Sequence, residues 1–435
     1  MTNTDTSVVA SPAQGEATTP WRRQVVLFLS GQTASLFGSM LVQYAIMWHL
    51  TLETGSGLVL ALAGVFGFLP QAVVSVFGGV WADRMNRKLL LVAADASIAA
   101  STLGLALLML AGHDGLWLVY ATLAVRSVGA GIQLPAVSAM VPQITPGDQL
   151  MRVNGINATI QSAMMLVAPA LAAVVYANLS IIGIFLVDVV TAVIGIGLVL
   201  LVRVPTVERT EEPASYFGDL VAGVRYIAGH EFIRWLLLLF ALVYVLAAAP
   251  SSLMPLLVTR RFGDDVWLLA AVELAFSVGM LAAGLLISVW AGSRNRVAMI
   301  VVTSVAFGVF TLGTGLSPNV WVLAAFMFAV GFNVPYFSTP SMTLIQESVE
   351  PGMQGRVFGF MGIVMALAMP LGVGIFGPLA DRFEVQTLLV VAGSLMLAVA
   401  VAAVTLPAGR RAMANDTPHI APSSSVATSS KLTVP

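Results

Sequence analysis

Along this chain the apolar positions do not alternate with polar ones. They run almost unbroken for about twenty residues at a time, close to what a helix needs to cross hydrocarbon. The polar gaps are short and marked by Gly, Pro, Asn or Asp, as in Gly112-His113-Asp114-Gly115 and Ser317-Pro318-Asn319. Twelve runs result, near 24–50, 57–81, 88–111, 116–140, 153–177, 180–202, 232–258, 266–291, 297–316, 319–345, 356–380 and 386–407. The gap at 203–231 is different. It begins polar (Glu208-Arg209-Thr210-Glu211-Glu212-Pro213) and turns amphipathic, with Phe217, Leu220, Val221, Val224 and Ile227 on one helical face. The pattern predicts an all-α integral membrane protein of twelve transmembrane helices in two six-helix bundles, 22–203 and 232–407. A cytoplasmic linker with an amphipathic helix, 204–231, joins them. The Thr/Ser-rich start (1–21) and the Ser/Thr/Pro-rich end (408–435) read as disordered cytoplasmic tails.

Composition narrows the class further. Of 435 residues, 58% are hydrophobic and 9% charged, where a soluble domain carries about 25% charged. Lipid is the solvent that fits such a surface. A net charge of −1 offers no footprint for nucleic acid. The absence of cysteine excludes disulfides, thiolate nucleophiles and Cys-ligated metals, and His49, His113, His230 and His419 have no zinc-like spacing. No Walker-type Gly-x-x-x-x-Gly-Lys-Ser/Thr is present, so this chain does not hydrolyse ATP. Neither an enzyme nor a cofactor nor a metal is expected. The first twenty residues lack the basic n-region of a cleaved signal peptide.

The basic residues set an orientation. With the N-terminus inside, sixteen of the 20 Lys and Arg fall on the cytoplasmic side: Arg22, Arg23, Arg84, Arg87, Lys88, Arg152, Arg203, Arg209, Arg225, Arg234, Arg294, Arg296, Arg356, Arg410, Arg411 and Lys431. Arg260, Arg261 and Arg382 fall outside, and Arg126 lies within a span. The positive-inside bias therefore predicts a plasma-membrane protein with both termini cytoplasmic.

Internal echoes point to duplication. Val80-Trp81-Ala82-Asp83-Arg84-Met85-Asn86-Arg87 returns 209 residues later as Val289-Trp290-Ala291-Gly292-Ser293-Arg294-Asn295-Arg296. Pro146-Gly147-Asp148-Gln149 before Arg152-Val153-Asn154-Gly155 returns as Pro351-Gly352-Met353-Gln354 before Arg356-Val357-Phe358-Gly359. A third likeness, Gly79-Val80-Trp81-Ala82-Asp83-Arg84 against Gly377-Pro378-Leu379-Ala380-Asp381-Arg382, falls on opposite membrane faces, as an inverted repeat within halves would place it. Such repeats are how many secondary transporters are built.

These segments also carry a family resemblance. Gly79-x-x-Ala82-Asp83-Arg84-x-Asn86-Arg87-Lys88 resembles the signature loop of the major facilitator superfamily, with Asn86 where Gly is usual; Asn tolerates a left-handed backbone there. Arg126 with Gly129 and Gly131 resembles its fourth-helix arginine motif. Gly155 and Ala168-Pro169-Ala170-Leu171-Ala172-Ala173 resemble its antiporter motif, with Ala replacing most glycines. Gly31-Gln32-Thr33-Ala34-Ser35-Leu36, Gly67-Phe68-Leu69-Pro70 and Gly279-Met280-Leu281-Ala282-Ala283-Gly284 are similar to the bacterial macrolide-efflux branch, and siderophore exporters are a more distant likeness. The resemblance implies that the first, fourth, seventh and tenth spans line a central cavity. It also implies that Gly79, Asp83, Arg84, Arg87 and Lys88 latch the halves on the cytoplasmic side, with Asp83 against a helix N-terminus. Gly292 replaces the acid in the second copy, so that latch is one-sided. Plain positive-inside anchoring explains the Arg and Lys residues but not the acid beside them.

The chemistry must come from polar groups inside the bilayer, where each charge requires a partner or water. Arg126 lies near the midplane, Asp188 and Glu273 about seven residues in from the outer face, and Asp95 in the inner part of the third span. One reading makes Asp188 or Glu273 a proton carrier, with Asp95 and Arg126 also candidates for coupling; the other makes Asp95–Arg126 a structural ion pair. Gln32, Ser35, Ser39 and Gln43 form a polar stripe on the first span, and Asn333, Phe337 and Ser341, with Tyr336 adjacent, another on the tenth. Both stripes suit a cavity wall or helix packing. Together with Tyr44, Tyr244 and Arg126 they form the candidate cavity for a large hydrophobic ligand. The expectation is a monomeric exporter of hydrophobic, macrolide-like compounds in exchange for protons. Alternatives are a siderophore or metabolite exporter, a nutrient/proton symporter, or a membrane accessory or sensor subunit that transports nothing.

Overall fold

The computed structural model describes residues 21–204, 216–289, 295–407 and 410–411. Of residues 76–80, 82–84, 216–217, 219–220, 288 and 351–352 it describes the backbone alone. The described chain is helical. The first half comprises α1 (Trp21–Thr54), α2 (Gly57–Arg84), α3 (Arg87–Leu110), α4 (Leu116–Ile144), α5 (Leu150–Asn178) and α6 (Ile181–Leu201). After α7 (Tyr216–Gly229) the second half comprises α8 (Glu231–Ser252), α9 (Met254–Phe262), α10 (Val266–Val289), α11 (Arg296–Leu316), α12 (Val320–Ser348), α13 (Pro351–Ala380) and α14 (Val385–Thr405). Twelve segments are long and apolar enough to cross a membrane, α8 and α9 together making one of them.

Five helices begin at a side-chain cap that the sequence supplies. Ser56, Ser180 and Asn319 turn side-chain oxygens onto the first free N–H groups of α2, α6 and α12. Asn86 caps α3 and Asn295, 209 residues on, caps α11. Asn86 is thus not left-handed as the sequence suggested. Its φ of −68° is ordinary extended backbone, because the cap bond rather than a tight turn fixes it. Span seven differs too: a break at Leu253, between Pro250 and Pro255, separates α8 from α9.

The halves repeat one packing scheme. In the first, α1 packs on α6, α2 on α4, and α3 on both α4 and α6. In the second, α8 packs on α14, α10 on α12, and α11 on both α12 and α14. Glycines permit the closest crossings: a Cβ on Gly131 of α4 would lie 2.9 Å from Gln71 O, and one on Gly331 of α12 would lie 2.1 Å from Phe276 O.

We call the membrane face bearing Trp21, Arg87, Arg203, Arg234 and Arg356 the basic face, and the one bearing Thr54, Arg260 and Asp381 the far face. At the far face one apolar core runs through both halves, joining Leu41, Trp48, Leu60, Phe185 and Ala173 to Leu253, Leu257, Leu269, Phe376 and Leu389. Toward the basic face it divides. Phe28, Leu91, Met140 and Val199 pack within the first half, and Phe240, Ile300, Phe337 and Ile345 within the second. Among the described residues, the buried apolar cores of the two halves therefore join at the far face and are separate toward the basic one. Crossing contacts agree: a Cβ on Gly377 of α13 would lie 2.3 Å from Ala61 Cβ of α2, and Ser277 of α10 donates to Met165 O of α5 at 3.2 Å. Helix α7 lies at the basic face, burying Ile227 in the second-half core and leaving Val221 and Val224 exposed. The Phe217 and Leu220 side chains of the expected apolar stripe lie outside the described residues.

Candidate functional site

Four helices of the first half bury a polar network. Arg126 on α4 donates to Asp188 on α6 and to the Thr102 hydroxyl on α3, and reaches Ser39 O on α1 at 3.2 Å. Thr102 in turn donates to Asp188 at 3.1 Å. Gly38 makes the approach possible, because a Cβ there would lie 2.8 Å from Asp188 Oδ1. A second layer lies nearer the basic face, where Asp95 on α3 accepts from Ser35 of α1 at 2.9 Å and from Gln133 of α4 at 2.7 Å. Arg126 is 7% exposed, and Asp95 and Asp188 are 1% exposed.

This corrects the expected Asp95–Arg126 pair. Neighbouring helices run antiparallel, so depth decides who meets whom. At 1.5 Å per residue, Asp95 lies about 12 Å from the basic-face end of α3, whereas Arg126 lies about 27 Å from that end of α4. Arg126 is level with Thr102 and Asp188. The residue on α4 level with Asp95 is Gln133, seven positions on, which the sequence reading passed over, as it did Thr102. A polar residue seven positions after Asp95 and after Arg126 was the available signal.

The stripes are distributed between core and cleft. On α1, Ser35 and the Ser39 carbonyl turn into the network, Gln32 and Gln43 are half-buried, and Tyr44 packs on Trp48 at 5.6 Å between ring centres. On α12, Asn333 donates to Thr303 O and Ser341 to Phe337 O, and both are buried. Phe337 stacks on Phe240, which stacks on the half-buried Tyr244, while Tyr336 meets Phe332. In this conformation the α12 stripe is a packing face. Glu273 on α10 is half-buried, forms no hydrogen bond or ion pair with the described residues, and lies within electrostatic reach of the Tyr44 hydroxyl in the other half. Toward the basic face, an apolar pocket of about 230 Å³ separates α5 from α10, lined by Ser162, Met165, Leu166, Ser277, Met280, Leu281, Gly284 and Leu285.

Of the expected cytoplasmic latch, the Gly79, Asp83 and Arg84 side-chain positions lie outside the described residues, as does 290–294 of the second copy. Arg87 donates to Ala139 O, and Lys88 to Leu200 O and Val202 O, tying the start of α3 to α4 and to the C-terminus of α6 within one half. A clasp between halves is described at the far face instead. Asp381, at the end of α13, accepts from Gly57 N at 2.6 Å, Leu58 N at 2.8 Å and Ser56 Oγ at 2.9 Å, all at the start of α2. Arg260 of α9 donates to Gly55 O and Ala380 O and pairs with Asp381 at 3.3 Å. Burial pushes the Asp381 carboxyl upward. The two backbone N–H groups, Ser56 and Arg260 outweigh it and hold the carboxyl below its ordinary value.

The family model of the Major Facilitator Superfamily matches residues 27–373, and again 267–433. The chain belongs to the major facilitator superfamily. Among its superfamily relatives, macrolide efflux protein A of Streptococcus pyogenes is 31% identical over 385 residues, covering 88% of this chain and 95% of that protein. Macrolide efflux protein A of Enterococcus faecalis is 31% identical over 322 residues, covering 73% and 99%. A bacterial homologue of the human lysosomal transporter Spinster, solved in an inward-facing and unoccupied conformation, superposes with a TM-score of 0.61 at 13% identity, covering 92% of this chain and 96% of its own. The all-helical superfamily fold and the multi-pass membrane architecture are thereby established.

Proposed function

We propose that this protein exports hydrophobic compounds of the macrolide class in exchange for protons, by alternating access of its two halves. The observation that carries this reading is the 31% identity to macrolide efflux proteins over nearly the whole chain. The supporting features are a buried carboxylate–guanidinium network, an apolar Met-containing cleft between α5 and α10, and an apolar core that the described residues of both halves share at the far face. In the proposed orientation the basic face is cytoplasmic, in keeping with the excess of Lys and Arg there, and the conformation described is open inward. A hydrophobic molecule enters the cleft from the cytoplasmic side, the far-face contacts part as the basic-face ends close, and it leaves outward. The working unit is taken to be a monomer, with the lipid bilayer, the cargo and protons as its partners.

The test is uptake of labelled erythromycin into everted membrane vesicles under an imposed inside-acid gradient. Accumulation that disappears when the gradient is collapsed is the expected result. Accumulation no greater than in vesicles lacking the protein would remove the macrolide assignment, and accumulation indifferent to the gradient would remove proton coupling.

A further inference from the structure

The interior of the first half holds two carboxylates and one cation. Arg126 is committed to Asp188, with Thr102 bonded to both. Asp95 is just as buried, yet its donors are neutral: Ser35 and Gln133, both on Oδ1. Its Oδ2 is buried and, like Asp188 Oδ1, has no hydrogen-bond partner among the described residues; what sets Asp95 apart is that no cation is bonded to its other oxygen. The packed neighbours of α3 are α4 and α6, with a slighter contact from α2, and α1 reaches it through Ser35. Among the described residues of these helices, the charged group that bears on Asp95 is Asp188, which repels it. With both acids ionised the network carries one negative charge in excess, in surroundings that penalise an uncompensated charge heavily. A proton on Asp95 Oδ2 removes the excess and leaves both bonds to Oδ1 intact.

A route for that proton is also visible. Gln133 is only half-buried and lies on α4 between Arg126 and the basic-face end, on the side where the apolar cores of the halves are separate. Its amide bonds Asp95 directly, so a proton carrier that reaches the exposed part of Gln133 stands one side chain away from the acid.

We propose that Asp95 binds the proton exchanged for cargo, while Arg126 stays bonded to Asp188. This rests on the proton-coupled reading above. Loading Asp95 makes the network neutral. Unloading it restores repulsion between Asp95 on α3 and Asp188 on α6, which lie on adjacent helices. Glu273, in the other half, has no part in this step.

The test is difference infrared spectroscopy of the full-length protein in lipid nanodiscs during a pH titration without cargo, reading the carbonyl stretch of protonated carboxylic acids. A titrating band that is absent from Asp95→Asn and moved in Asp95→Glu is expected. The second variant keeps an acid in place and decides the matter should the first fail to fold. A band that stays in place in both variants overturns the proposal. A second arm uses everted vesicles: Asp95→Asn should lose gradient-driven erythromycin uptake to the level of empty vesicles yet keep erythromycin exchange across preloaded vesicles. Loss of both would make Asp95 a structural residue and overturn its coupling role. Wild-type protein that shows the Asp95 band but no gradient-driven uptake would instead sink proton antiport and leave the buried proton where it is assigned.

Discussion

Arg126 and Asp188 each satisfy a group that lipid and apolar side chains cannot, and further hydrogen bonds join the pair to the Thr102 hydroxyl and Arg126 to the Ser39 carbonyl. Removing one partner strands the other, at a cost of about 3–5 kcal/mol when the pair is buried. Asp188→Ala should therefore lower the thermal unfolding midpoint of the purified protein markedly. The double variant Arg126→Met/Asp188→Leu should recover most of that loss, because it leaves no charge behind. An Asp188→Ala protein as stable as wild type would show that the pair contributes nothing to the fold. At this scale the sequence picked out residues that the fold buries together, but paired Arg126 with Asp95 rather than with Asp188. Arg126, Asp95, Asp188 and Ser35 were legible as polar groups in apolar runs. Their partners depended on how far each helix had climbed through the bundle, and that requires the true helix ends. Ile144 lies four residues beyond the end that hydropathy gives to the fourth span.

Helices α2 and α13 cross so closely that backbone of one half lies against side chains of the other. A Cβ on Gly64 would lie 3.4 Å from Val373 Cβ, near the short end of the roughly 3.5–4.5 Å that a disulfide spans. Because the chain has no cysteine, Gly64→Cys/Val373→Cys places two thiols in a clean background. Oxidation should join them and stop transport, and reduction should restore it. Transport undiminished by complete cross-linking would mean that this crossing does not open. The crossing was only partly legible beforehand. The repeat of Asn86 at Asn295 foretold matching helix starts, and both residues cap helices. Nothing in hydropathy says which faces of α2 and α13 meet, since small residues such as Gly57, Ala61, Gly64 and Gly377 are apolar on every scale. Gly377→Val should push these helices apart, seen as increased labelling of a cysteine placed at Ala61. Unchanged labelling would argue that the helices adjust without separating.

For the molecule as a whole, the far-face clasp is a polar tie between the halves in the conformation described. Asp381 is held below its ordinary carboxyl value, so it favours the clasped state at pH values above that of a free carboxyl and ceases to do so as pH falls through its own lower value. The clasp is therefore at full strength near neutrality. Asp381→Asn removes the charge at every pH, and with it a carboxylate cap on α2, an interaction worth about 1 kcal/mol in helices generally. It should raise the fraction open at the far face several-fold, read as labelling of single cysteines near Ser56 by a membrane-impermeant reagent; Asp381→Asn with wild-type labelling would exclude the clasp as a gate. The sequence pointed to this place through the likeness of Gly377–Arg382 to Gly79–Arg84. It did not reveal that the acid of one half would sit on the first turn of a helix in the other, because that contact joins positions more than 320 residues apart.

The Arg260–Asp381 pair is about one-third exposed on each side. In the orientation proposed it faces the surroundings of the cell rather than its interior. Dissolved ions screen charges at such a place over about 8 Å at 0.15 M and about 3 Å at 1 M. Ionic strength outside the cell would then act as a dial on the resting conformation, loosening the clasp as salinity rises while the dry network around Arg126 stays indifferent.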